Sequence, residues 1–333
     1  AQGFNSVLTG DATLAKRPME RIAKPLRLMG ADIQTTGERG TPPVTITGNT
    51  KLSGIHYDLP VASAQVKSGV LLAGLWADGT TSVTEPAPTR DHTERMLRGF
   101  GYDVKTDGAT ASVQGGGSLK ACKIDVPGDI SSAAFFLVAA SIAPDSDLVL
   151  EHVGMNPTRV GVINILRAMG GNIEVLNARE VGGEPVADLR VRSAQLQGID
   201  IPEDQVPLGI DEFPALFIAA ACANGVTTLT GAEELRVKES DRIQVMADGL
   251  LTLGVSALPT VDGIVITGGP ISGGEVISHG DHRIAMAFAV AGLRATDTIT
   301  IRDCANVATS FPDFIGLARR CGLRIRASEH DLH

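Results

Sequence analysis

Two kinds of helical pattern alternate along this chain. The first is apolar nearly all round and covers residues 63–75, 131–140, 212–221 and 282–291. A helix without a polar face has to be buried. Each of these stretches runs through a short turn into a Thr/Val-rich segment of strand character, as at 80–84 and 297–301. The second kind is amphipathic and stops at a glycine: Gly30, Gly101, Gly170, Gly254 or Gly322. Glycine suits the left-handed residue that closes a helix.

The spacings of those glycines are 71, 69, 84 and 68 residues. They predict an internal repeat of roughly 70 residues, each copy with two helices and several strands. Five amphipathic segments face four buried ones, and the first, 17–30, has no buried partner ahead of it. A repeat array that starts in mid-repeat implies an absent N-terminal portion, on the order of 50–100 residues by this period. The weakest junction is near Lys123 to Gly128, where Val126-Pro127-Gly128 reads as a strand end and turn. The expected domains are 1–127, with two amphipathic copies, and 128–333, with three.

Composition narrows the class. Hydrophobic residues make up 43% and charged residues 20%, as in a globular protein. Aromatics are only 4%, so the cores must rely on small residues packed closely. The net charge of −9 and the lack of a basic tail argue against nucleic acid as a partner. An anionic ligand would need local cations to offset that field. Four scattered cysteines lack metal-ligand spacing, and Cys222 in its alanine run reads as a buried, inert thiol. A reducing cytoplasm fits best. No apolar run is long enough to span a bilayer, and the first residues lack a signal-peptide pattern.

Charge then gathers at two strand-to-helix junctions. Residues 234–242 (Glu-Leu-Arg-Val-Lys-Glu-Ser-Asp-Arg) hold three cations and three carboxylates, and His279-Gly280-Asp281-His282-Arg283 follows some forty residues later. Lys238, Glu239 and Arg242 have the spacing to share one helical face. A charge run of this sort is ordinarily a solvated face of little energetic weight. Its recurrence beside the next buried helix favours a site that holds an anion and moves protons. Asp211 precedes another buried helix, and a carboxylate among cations can stay ionised and act as a base. The buried helices begin with Ser63-Ala64-Gln65, Asp129 to Ser132, Asp211-Glu212 and Asp281-His282-Arg283. Such N-termini attract anions, and aligned repeats would bring them to one surface between the domains. Plain capping accounts for Asp129 and Ser131. At Ser63-Ala64-Gln65 function is favoured, because Gln65 and Lys67 place donors where a core helix would be apolar. Arg17 sits before Pro18, a normal first helical residue, and opposes the helix dipole unless an anion offsets it. Arg90 holds the matching place one repeat later, and His92 reads as structural. There is no phosphate loop, dinucleotide fingerprint or metal cluster, so no nucleotide, flavin or metal cofactor is expected.

At these positions the chain resembles the 5-enolpyruvylshikimate-3-phosphate synthase family. The matching motifs are Arg17-Pro18-Met19, Ala62-Ser63-Ala64-Gln65-Val66-Lys67-Ser68, Thr89-Arg90-Asp91-His92-Thr93, Ile210-Asp211-Glu212, residues 235–242, Gly280-Asp281-His282-Arg283 and Ser310-Phe311-Pro312-Asp313. They span nearly the whole chain in family order. The Ala-Ser-Ala-Gln and Lys-Glu-Ser-Asp-Arg wording is similar to the glyphosate-tolerant class II branch. The resemblance implies an α/β enolpyruvyl transferase fold of two lobes, built from βαβαββ units around buried helices, with the first unit incomplete here. It implies transfer of the enolpyruvyl group of phosphoenolpyruvate to the 5-hydroxyl of shikimate 3-phosphate, in aromatic amino acid biosynthesis, by a cytoplasmic monomer without a cofactor. By motif match, Arg17, Gln65, Arg242 and Arg283 would bind phosphoenolpyruvate. Ser63, Ala64, Gln65, Arg90, Asp211 and Lys238 would bind shikimate 3-phosphate. Asp211 would take the proton of the attacking hydroxyl, and Glu239, with His282 nearby, would serve the methylene carbon.

Two departures qualify the match. The family's N-terminal Lys-Ser-x-Ser-x-Arg segment and the glycine-rich segment ahead of Arg17 are absent, so the chain alone is expected to be nearly inactive. Thr309-Ser310 also stands where some members have a lysine. One alternative is the sister enolpyruvyl transferase acting on UDP-N-acetylglucosamine. It usually has a reactive cysteine where this chain has Ala12, and no cysteine precedes Cys122. Another alternative, of a different class, is a non-catalytic anion-binding module.

Overall fold

The computed structural model describes residues 2–11, 14–37 and 39–327; Ala12 lies outside the described residues. The chain forms two compact units. One is Ala1–Asp125 with Val181–Glu184, and the other is Val126–Glu180 with Pro185–His333. A single division after residue 127 therefore omits the return of 181–184 to the first unit.

The first unit holds β1 (Ser6–Leu8), α1 (Glu20–Leu28), β2 (Ile33–Thr36), β3 (Thr41–Ile46), β4 (Leu52–Ser53), β5 (His56–Asp58), α2 (Ala64–Gly74), β6 (Ala77–Asp78), β7 (Thr80–Thr84), α3 (His92–Gly99), β8 (Val104–Asp107) and β9 (Thr110–Gln114). Its sheets are ordered β1-β3-β2, β4-β6 and β5-β7-β9-β8. Helix α2 packs Val66, Val70 and Leu71 against β7 and β9. It is not buried all round: Leu72 is 44% and the following Trp76 56% exposed. Helix α1 starts at Glu20, so Pro18 lies before it rather than at its first position.

The second unit is built around three helices: α4 (Ile130–Ile142), α6 (Phe213–Ala221) and α8 (His282–Ala291), which pack on one another pairwise. Every residue of α6 is buried. Its large side chains each stabilise the fold by about 1.5–3 kcal/mol on leaving water. Around them run β10 (Asp147–Gly154), α5 (Gly161–Ala168), β11 (Asn172–Val181) and β12 (Glu184–Arg192), then β13 (Val226–Leu229), α7 (Arg242–Thr252), β14 (Ser256–Pro259) and β15 (Ile264–Thr267). Next come β16 (Gly274–Ile277), β17 (Ile299–Arg302), α9 (Val307–Ser310) and α10 (Phe314–Arg320). Sheet orders are β10-β12-β11, β13-β15-β14 and a parallel β16-β17 pair. In four sheets the rule is the same: the strand before an amphipathic helix pairs with the second strand of the hairpin after it. Among the described residues, no helix is long and apolar enough to cross a membrane.

The predicted terminal glycines all have positive φ, from +72° to +98°. After each, the next N–H bonds the carbonyl five residues back, as from Ala31 to Leu26 and from Gly171 to Leu166. This is the Schellman closure. In four of the five copies an arginine three residues before the glycine reaches the carbonyl six residues ahead of itself. The pairs are Arg27 to Ile33 (2.7 Å), Arg98 to Val104 (3.1 Å), Arg167 to Ile173 (2.9 Å) and Arg319 to Ile325 (2.8 Å). Each ties a helix end to the chain that follows. The copy on α7 has Leu251 there instead.

Candidate active-site network

In the second unit, the starts of the three buried helices come together. A 3-10 turn, Ile210–Glu212, leads into α6, with Pro214 in its first turn. Asp129 caps α4 by accepting from Ser131 N, and Asp281 caps α8 by accepting from Arg283 N. Cross-links join these ends. Ser131 Oγ donates to Glu212, and Arg283 Nη1 donates to the Asp211 carbonyl at 3.1 Å. Free N–H groups and helix dipoles at such ends favour negative charge.

The charged segment does not form one helix face. Glu233–Val237 is a 3-10 turn, Lys238 and Glu239 follow it, and α7 begins only at Arg242. Arg242 is nonetheless the centre of the network. It is 1% exposed, and Asp281 is completely buried. Nε of Arg242 donates to Asp281 Oδ2 at 2.8 Å, and Nη2 reaches Asp281 Oδ1 at 3.4 Å and Glu239 Oε2 at 2.7 Å. Ser240 Oγ also donates to Asp281, at 3.1 Å. Asp211 Oδ1 lies 3.2 Å from Lys238 Nζ and 3.7 Å from Arg242 Nη1. Lys238 is further paired with Glu234. Arg242 Nη1 is buried without a hydrogen-bond partner among the described residues. An unsatisfied buried donor costs about 1–3 kcal/mol. Nη1 is thus a donor that an incoming anion would satisfy.

Burial acts on the acids and bases here in opposite senses. For Asp281 it pushes the pKa up, but hydrogen bonds from Arg242 and from the Arg283 N–H, with the charges of Arg242 and His282, outweigh it, and the carboxyl sits below its ordinary value. For His282, burial first and the neighbouring Arg283 and Arg242 charges next lower the pKa against the pull of Asp281 and Glu239. Arg236 and Asp241 have structural tasks: they pair at 2.6 Å, Arg236 also bonds the Val261 carbonyl, and Asp241 caps α7.

In the first unit, Ser63 caps α2 through Val66 N. Gln65 Oε1 accepts from Arg21 on α1 at 2.8 Å, an arginine that the sequence did not single out. Lys67 is not an available donor. It is buried, with Nζ 2.8 Å from Glu94 and 3.2 Å from Glu85. Arg90 is half-buried just ahead of α3, and Arg17 is exposed after a short 3-10 turn, Leu14–Lys16. His92 bonds Glu184 at 2.7 Å. Cys222 is partly buried rather than enclosed as read, and burial pushes its thiol up to about 11.

Arg159, Glu212 and Ser240 were missed as members of the network. Arg159 ends Asn156-Pro157-Thr158-Arg159, where Asn156 Oδ1 accepts from Thr158 N at 2.9 Å and from Thr158 Oγ1 at 2.7 Å. That turn was visible as an Asn-Pro dipeptide.

The family described as EPSP synthase (3-phosphoshikimate 1-carboxyvinyltransferase) matches residues 1–317. A 3-phosphoshikimate 1-carboxyvinyltransferase of Methylococcus capsulatus is 67% identical over 327 residues, covering 98% of this chain and 75% of the relative. The EPSP synthase structure from Acinetobacter baumannii superposes with a TM-score of 0.93 at 66% identity, over 99% of this chain and 76% of that one. The enolpyruvyl transferase NikO from Streptomyces tendae gives 0.77 at 19% identity, over 98% and 74%, and shares the fold.

Proposed function

Since the chain belongs to the EPSP synthase (3-phosphoshikimate 1-carboxyvinyltransferase) family, we propose how its residues divide that family's reaction. The activity is transfer of the enolpyruvyl group of phosphoenolpyruvate to the 5-hydroxyl of shikimate 3-phosphate, with release of phosphate. We read the fold as βαβαββ repeats, in a cytoplasmic monomer.

Arg242 and Arg283, with Arg17 and Gln65, bind phosphoenolpyruvate. Its carboxylate and phosphate suit the forked guanidinium. Ser63, Ala64, Gln65, Arg90, Asp211 and Lys238 bind shikimate 3-phosphate. Asp211 takes the proton of the 5-hydroxyl as its oxygen bonds to C2 of phosphoenolpyruvate. The methylene carbon C3 gains a proton through Glu239, with His282 beside it, giving a tetrahedral intermediate. Loss of a methyl proton to the same group then restores the double bond as the C–O bond to phosphate breaks. The arginines stabilise the charge on that intermediate.

The observation that carries this reading is Asp211 held 3.2 Å from Lys238 and 3.7 Å from Arg242, whose Nη1 is still unsatisfied. Asp211→Asn tests it. Loss of a general base lowers kcat by about 10²–10⁴-fold, measured as phosphate release with both substrates in the chain extended to its relatives' full length. Turnover within a few-fold of the unsubstituted protein would remove Asp211 from the role of base.

A further inference from the structure

One buried polar chain in the second unit has no part in the assignments above. Arg159 Nη2 donates to Ser131 Oγ at 2.6 Å, and Ser131 Oγ donates to Glu212 Oε1. Arg159 Nη2 also lies 3.7 Å from Glu212 Oε1 and 3.4 Å from Asp129 Oδ1. The three residues come from the turn before α5, the first turn of α4 and the 3-10 turn before α6. Sequence distance between them reaches 81 residues.

Arginine only donates, whereas the serine oxygen has two lone pairs and one proton. Ser131 Oγ accepts from Arg159 and is hydrogen-bonded to Glu212 Oε1, whose side chain is almost fully buried. Burial, with the Asp211 charge, raises the Glu212 carboxyl pKa in spite of the hydrogen bond from Ser131 and the charges of Arg159 and Arg283. A buried carboxyl group stays where its few hydrogen-bond partners hold it. Glu212 is the peptide neighbour of Asp211, and the Asp211 carbonyl is fixed from its other side by Arg283 at 3.1 Å. The 3-10 turn is therefore clamped at two successive residues: at Asp211 by Arg283, and at Glu212 by Arg159 through Ser131.

We propose that Arg159 is a positioning residue for the reaction: through Ser131 it anchors Glu212 and so holds the turn that presents Asp211 to Lys238 and Arg242. This rests on Asp211 being the base. Arg159 itself contacts neither Lys238 nor Arg242 in any recorded bond, so its effect must pass through the turn. A carboxylate displaced by about an ångström can lose two orders of magnitude in rate.

The test compares Arg159→Met, Ser131→Ala, Glu212→Gln and the Arg159→Met/Glu212→Gln double variant, with Asp211→Asn as control. kcat and both KM values come from phosphate release by the chain extended to its relatives' full length, and shikimate 3-phosphate binding from calorimetry. Expected is a fall in kcat of about 10–100-fold in each single variant, with shikimate 3-phosphate affinity changed by less. Because the three residues act as one unit, the double variant should be no slower than the slower single one. Ser131→Ala removes one hydroxyl and keeps both charges, so it tests the clamp even if Arg159→Met fails to fold. Unchanged kcat in Ser131→Ala, or losses that multiply in the double variant, would overturn the proposal. If Asp211→Asn keeps its turnover, the assignment of the base fails instead, and the two failures are told apart.

Discussion

The pairing of Arg242 with Asp281 makes a quantitative prediction. Asp281 is completely buried and receives four donors: Arg242 Nε at 2.8 Å, Arg242 Nη2 at 3.4 Å, Ser240 Oγ at 3.1 Å and Arg283 N at 3.0 Å. Asp281→Ala strips all of them. It leaves Arg242 buried with Glu239 as its closest carboxylate, at 2.7 Å. Removing one partner of a buried ion pair costs about 3–5 kcal/mol. Loss of the N-cap on α8 costs about 1 kcal/mol. A domain is stable by only about 5–15 kcal/mol, so the second unit should approach instability. Asp281→Asn keeps a capping side chain and should fall about 1 kcal/mol short of the alanine effect.

The protein carries a built-in way to see this. Its one tryptophan, Trp76, and both tyrosines, Tyr57 and Tyr102, lie in the first unit. Fluorescence therefore reports that unit, whereas far-ultraviolet circular dichroism follows helices of both. In urea, the dichroism transition of Asp281→Ala should move to lower denaturant by the equivalent of about 3–5 kcal/mol. The Trp76 signal should move less. A dichroism shift worth less than about 1 kcal/mol would refute the claim that Asp281 holds the buried arginine.

Three further predictions concern protons and backbone. His282 has a lowered pKa in the folded protein, so the unfolded chain binds protons more readily. The stability due to neutral His282 is full above the ordinary imidazole value of 6.5 and is lost as pH falls through the lowered value. His282→Gln should flatten the stability-against-pH curve below 6.5, and an unchanged slope would contradict it. Gly170→Ala should cost about 1–2 kcal/mol at φ +92° although space is available there, with Gln195 O 3.6 Å from the added carbon. Gly249→Ala should cost about 1–3 kcal/mol for the opposite reason, since the carbon would meet Phe288 at 2.2 Å; urea midpoints of both check this.

What the sequence made legible was local. The glycine closures were readable because helix, left-handed residue and strand lie within about ten residues. So were Ser63, Asp211 and Asp281 at helix starts. Lys67 was misjudged because the carboxylates that neutralise it come from the loop after β7 and from α3. Nothing near Lys67 in sequence announces them. The same distance hid the bonds that join Ser131, Arg159 and Glu212: Ser131 and Glu212 were read only as helix-start residues, and Arg159 was not singled out. The expectation of a shared helix face failed because spacing alone does not mark where α7 starts. Asp241 caps the helix and so sets its first turn at Arg242.

Arg242 shows why the charge run departed from an ordinary solvated face. A lysine there could pair with Asp281 as a point charge. Guanidinium has five donors in a fixed plane. Nε and Nη2 are committed to Asp281 and Glu239, which fixes the plane, and Nη1 is left facing Asp211 at 3.7 Å with no hydrogen bond made. Stability alone would not favour this arrangement. An apolar side chain of similar volume could replace a buried ion pair at little cost or with a gain. The fold instead keeps a desolvated cation, anchors two of its nitrogens and leaves the third unsatisfied. Anion recognition needs that division of one side chain into an anchored edge and a waiting edge. Arg283 repeats it in simpler form, with its backbone N–H on Asp281 and its Nη1 on the Asp211 carbonyl. The Asp281 carboxylate thus orients Arg242 and ties the start of α8 to α7, and the Asp211 carbonyl holds Arg283 and ties the start of α8 to the turn before α6. The site and the core of the second unit are held by one set of bonds.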